Sequence, residues 1–168
     1  VDPFVIAGLP AHVLLVHAVV IAVPVLSLGL VVAAAWPAAR RALWIPLLVV
    51  AIGTVGLVAY AVSAGQWLEE RVPEAPLIQE HTAIGGALLA WAWGLLGVAV
   101  LLAAWHLVAR AHERGGRTPS RGIRLTVGIV GTVLAVAVGT GATVATVLIG
   151  ESGSRAVWEG SFSEDPLE

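Results

Sequence analysis

The chain has 168 residues, a length expected for one domain. It is 58% hydrophobic and 12% charged, where a soluble domain is roughly 45–50% apolar and about 25% charged. That excludes an ordinary soluble domain and a disordered chain. Nine arginines against eleven acids give −2, so there is no basic surplus for a nucleic-acid partner.

Four windows without charge organise the sequence: 3–39, 42–68, 82–109 and 125–150. About 20 apolar residues suffice to cross a bilayer as a helix. The expected spans are TM1 at 9–36, TM2 at 42–64, TM3 at 77–108 and TM4 at 123–149. Barrel strands would alternate over about ten residues, whereas these runs are continuous. A helix satisfies its own backbone in lipid. The fold class is therefore all-α: a polytopic integral membrane protein with a single four-helix up-down bundle over 1–150 and a polar extracytoplasmic tail over 151–168.

Within TM1, Pro10 falls near the first turn, where its missing N–H costs little. Pro24 falls mid-span and is the expected kink or break. Between TM1 and TM2 lie Arg40 and Arg41; between TM3 and TM4 lie Arg110, Arg114, Arg117, Arg121 and Arg124. The opposite side carries only Arg71 and Arg155, beside acids such as Asp2, Glu74, Glu159, Glu164 and Asp165. The positive-inside rule places the arginine-bearing connections in the cytoplasm and both termini outside. Trp36, Trp44, Trp67 and Trp105 fall near span ends, as an interfacial belt would.

Cysteine and lysine are both absent, which excludes disulfides, thiolate metal sites and Schiff-base or phosphate-loop lysines. Methionine is absent as well, so the expectation is a processed or recombinant chain, with Leu167-Glu168 as a cloning remnant. Neither a Ser/His/Asp set nor an HExxH motif occurs, and the chain is not expected to be an enzyme.

The ionisable side chains in the spans are histidines: His12 and His17 in TM1, His81 and His106 in TM3. Such groups are costly in a membrane unless paired or ligated. Because TM1 and TM3 run the same way, His12 and His81 should share a depth near the outer surface. His17 lies five residues on, roughly 7.5 Å deeper and turned by about 140°. His106 is roughly 37 Å from His81 along the helix, on the cytoplasmic side; His112 falls in the polar loop.

Two histidines at one depth suit axial haem ligands or part of a divalent-metal site. They also suit a proton or quinone role, or plain interfacial polar groups that bind nothing. For haem b, the candidates are His81 with His12 or His17, and Gly85 and Gly86 as small residues opening a slot. Gly139 and Gly141 add small residues on TM4 in the same half. For a metal ion, the candidates are His12, His81 and Glu80, with Glu69 and Glu70 nearby. Gly53/Gly56, Gly94/Gly97 and Gly128/Gly131 permit close helix packing or a homodimer.

The opening Leu9-Pro10-Ala11-His12-Val13-Leu14-Leu15-Val16-His17 resembles that of a bacterial four-helix membrane family catalogued as domain of unknown function 2231. Ala64-Gly65-Gln66-Trp67-Leu68-Glu69-Glu70 and Glu80-His81-Thr82-Ala83-Ile84-Gly85 resemble its later landmarks, although the family has an acidic residue where this chain has Gln66. The resemblance covers roughly residues 5–110. Fusions of relatives to Rieske or cytochrome-like domains imply a redox setting. Two functions follow as expectations: a b-type cytochrome-like protein with one haem in the outer half, partnering a redox or membrane protein, or a non-redox accessory, assembly or metal-binding protein.

Overall fold

The computed structural model describes residues 2–163; Glu164, Asp165 and the Leu167-Glu168 end lie outside them. A small hairpin, β1 (Val5–Ile6) and β2 (Leu9–Pro10), precedes five helices: α1 (Ala11–Ala35), α2 (Pro37–Glu69), α3 (Pro76–Gly85), α4 (Ala87–Arg114) and α5 (Arg121–Trp158). The hairpin turns on Ala7 (φ 51°) and Gly8 (φ 80°). Two positive φ values in a two-residue loop match the twist of antiparallel strands.

Four helices are long and apolar enough to cross a membrane: α1, α2, α3 with α4 taken together, and α5. α1 packs on α2 and α5, and α4 closes the ring by packing on the same two. The end of α2 lies against the start of α1, and the end of α5 against the start of α3. Inside the ring, α1 presents Val19, Val23, Leu26 and Leu30 at helical spacing, facing Ala51, Val55 and Val58 of α2 and Ala92, Leu95 and Val98 of α4. The outward faces are apolar too: Ile21, Leu28 and Val133 are each about two-thirds exposed. Apolar residues on every side of an exposed helix suit lipid, not water.

Buried hydroxyls are satisfied within their own helices. Ser27 donates to the Val23 carbonyl, Thr54 to Val50 and Thr146 to Ala142, each at 2.8 Å. That keeps polar atoms compatible with an apolar surround.

Three local features depart from the sequence reading. α1 runs through Pro24 without a break, while the expected TM3 is divided at Gly86 into α3 and α4. Glycine is the weakest residue for helix continuity after proline, and a side-chain carbon on Gly85 or Gly86 would meet nothing within 4 Å. Arg40 and Arg41 do not lie in a loop. Trp36 alone separates α1 from α2; its extended backbone (φ −118°, ψ 108°) precedes Pro37, which starts α2. Arg40 then reaches back to the Ala33 and Ala34 carbonyls at 3.4 and 3.3 Å, satisfying acceptors that the end of α1 leaves open. Finally, α5 continues to Trp158, well past Gly150, so the expected tail is helical over 151–158.

Small residues on α5 are packing residues. A side-chain carbon at Gly139 would lie 3.1 Å from Cβ of Ser27, and one at Gly141 would overlap the Trp91 ring. The space beside these two glycines is filled by protein rather than left as a slot.

Candidate functional site

His12 stands in the first turn of α1 and His81 in the middle of α3. The fold brings them together: their rings are 6.1 Å apart between centroids, at an interplanar angle of 69°. Both are half-buried.

Each ring is held from a neighbouring helix in the same manner. His12 Nδ1 lies 2.9 Å from the Ala61 carbonyl of α2. A carbonyl only accepts, so the ring donates from Nδ1. His81 Nδ1 lies 2.9 Å from Ser152 Oγ of α5, and that hydroxyl donates to the Ile149 carbonyl. Ser152 therefore accepts from His81, and this ring also carries its proton on Nδ1. With Nδ1 committed in both rings, Nε2 is the nitrogen left over for a ligand. A ligating histidine is oriented in this way, with its second nitrogen donating to a carbonyl or other protein acceptor.

Glycines seat both rings. A carbon on Gly65 would lie 3.0 Å from His12 Nδ1 and Cε1, and one on Gly153 would lie 3.0 Å from His81 Cε1. Around the pair, Thr82 donates to Glu69 at 2.9 Å and ties α3 to the end of α2. Phe4 of the amino-terminal hairpin stacks on Tyr60 and leans on Trp67, whose indole N–H donates to Asp2 at 3.1 Å. Arg71 covers the Trp67 ring at 4.2 Å.

The other candidates separate from this pair. His17 is exposed and donates to the Val13 carbonyl of its own helix. The rotation of five residues along α1 accounts for that. Gly85 and Gly86 mark the α3–α4 joint, and a side-chain carbon on either would meet no neighbour within 4 Å, neither histidine included. Glu80 is exposed and lines a cavity with Glu151 and Arg155. Among the described residues, no three His, Cys, Asp or Glu side chains converge on a point where a metal ion could sit, so the set His12, His81 and Glu80 is not assembled.

His106 sits near the far end of α4 and is 4% exposed. Its ring stacks on Trp44 at 5.4 Å, and its Nε2 has no hydrogen-bond partner. His112 is exposed and bonds the Val108 carbonyl of its own helix.

Sequence reasoning missed Ala61, Ser152 and Gly153. Their roles arise from contacts across helices, and Ser152 and Gly153 lie beyond the expected end of TM4. Gly65 was visible only as part of the family resemblance.

No family model matches the chain, and no curated protein or solved structure matches it significantly.

Proposed function

We propose that this is a b-type cytochrome-like membrane protein that holds one haem between His12 and His81 for electron transfer. The carrying observation is the paired geometry. Two imidazoles bound on opposite sides of one metal at ~2 Å each hold their centroids roughly 6 Å apart, and the rings here are 6.1 Å apart. Both rings have Nδ1 committed to protein acceptors, which supports ligation through Nε2. A bare divalent ion would need further protein ligands, and no such set of three converges. Haem brings its own four equatorial nitrogens and needs two imidazoles. Held by both imidazoles, a haem there would offer no free position to oxygen and would serve electron transfer.

The same reading puts the chain in a bacterial inner membrane as an up-down bundle with both termini outside. Arg40, Arg41, Arg110, Arg114, Arg117, Arg121 and Arg124 gather at the ends of the helices away from the histidine pair, in support of that orientation. The haem then lies in the extracytoplasmic half, within reach of an external redox partner. The resemblance to the family of domain of unknown function 2231, with its redox fusions, agrees with this reading.

The test is spectroscopic. Protein expressed with ample haem should show a Soret band that shifts on dithionite reduction. A colourless preparation from the same cells would overturn the haem reading.

A further inference from the structure

A cavity of 340 Å³ opens between α3 and α5, next to the His81–Ser152 hydrogen bond. It falls within the size range of small-molecule sites. Ser152 is part of its wall, so an occupant is one side chain away from His81.

The lining is graded. The His81–Ser152 bond sets the register between the two helices. Ile84 of α3 and Leu148 of α5 therefore lie deeper along the helix pair, about one turn past that bond. Glu80, Glu151 and Arg155 lie at the mouth or level with the bond, with Leu77 closing the outer edge. Arg155 is already paired with Glu151 at 2.6 Å. Glu80 is left as the uncompensated charge of the lining, which is one negative overall. That excess repels phosphate and favours a neutral molecule with hydroxyls to donate. Ile84 and Leu148 are exposed on the outer surface of the helix pair, which suits a hydrocarbon tail running into lipid.

We propose that this cavity takes the head group of an isoprenoid quinol, and that the quinol is the electron donor to the centre at His81. The second half of this statement rests on the haem reading; the binding itself does not. In the reaction, both O–H bonds of the quinol break. One proton passes to the Glu80 carboxylate and the other to water at the mouth. A haem held by His12 and His81 would take the two electrons one at a time, handing the first to the external redox partner before accepting the second, and the product would be the quinone. Ser152 keeps His81 oriented beside the donor.

The experiment uses a short-tailed analogue, a decyl-substituted benzoquinol, titrated calorimetrically into the detergent-solubilised full chain under anaerobic conditions. One analogue should bind per chain. Ile84→Trp and Leu77→Trp fill the cavity from opposite ends, and each should weaken binding about tenfold or more. A matching loss in both, with the far-UV spectrum and melting temperature retained, separates a filled site from a misfolded chain. Unchanged binding in both would show partitioning into the micelle and overturn the proposal. So would displacement of the analogue by equimolar phosphatidylethanolamine, which would make this a lipid head-group site. In haem-loaded protein, with the analogue saturating both wild type and variant, Glu80→Gln should slow haem reduction about tenfold. An unchanged rate would remove Glu80 as proton acceptor. A preparation that binds the analogue but has no Soret band would overturn the haem reading while leaving the quinol cavity standing.

Discussion

The two ends of the bundle treat histidine in opposite ways. At one end, His12 and His81 are half-buried, 6.1 Å apart, and each is anchored through Nδ1 to another helix. At the other, His106 is alone, almost fully buried and stacked on Trp44, with Nε2 unpartnered. The first arrangement fixes each ring through Nδ1 and sets two imidazoles side by side. The second uses the ring as a flat packing surface and tolerates an unmet polar atom. Burial alone would rank His106 as the functional histidine. Pairing and orientation rank it last, because a ligand needs a second donor and a route in.

The sharpest way to break this comparison is to remove one ring at each end. His81→Ala should abolish the Soret band, since no other histidine lies near His12 on α3 or α4. His12→Ala should do the same or leave a weakened five-coordinate spectrum. His106→Ala should leave the band at full intensity. Loss of the band in the His106 variant, with the fold intact, would reverse the assignment of the two ends. Absorption spectra at equal protein concentration decide this.

A smaller effect is expected from the glycines that seat the rings. Gly153→Leu places side-chain carbons against His81, where even a Cβ would lie 3.0 Å from the ring. The ring must turn off Ser152 or α5 must move. The haem affinity should fall about tenfold, in line with changes around metal ligands. Gly141→Leu, beside Trp91 and away from the pair, should instead lower stability by ~1–3 kcal/mol and leave the Soret maximum unchanged. Titration of apoprotein with haem, set beside thermal melts, separates the two.

How far these differences can be read from the residues themselves depends on the range of the interaction. The four membrane helices follow from apolar runs, which are local. So does the shared depth of His12 and His81, which needs only helix length and alternating direction. The choice of His12 over His17 is set by which face of α1 meets α2, and that depends on Ala61 and Gly65. The α1–α2 junction was misplaced because Arg40 looked like a loop residue; its stem lies on α2 and its guanidinium caps α1. Pro24 does not end α1, because one lost hydrogen bond is tolerated in a helix packed on two neighbours. The Gly86 break carries no signal beyond two adjacent glycines. The end of α5 was missed because Glu151, Ser152 and Arg155 read as polar tail, although Glu151 and Arg155 form an i,i+4 pair that supports a helix.

The smallest effect concerns His106 itself. Leucine is close to histidine in size and has no polar atom to satisfy. In His106→Leu the desolvated Nε2 is removed and the apolar contact with Trp44 is kept. Losing an unsatisfied buried polar atom is worth ~1–3 kcal/mol, against which the change in stacking on Trp44 costs ~1 kcal/mol. The variant should therefore melt at the wild-type temperature or slightly above it. A clear drop in melting temperature would show that Nε2 meets a partner in the membrane, such as a lipid head group or water held by the nearby Arg40. The far end would then hold a binding group of its own, and the contrast between the two ends would narrow to one of depth.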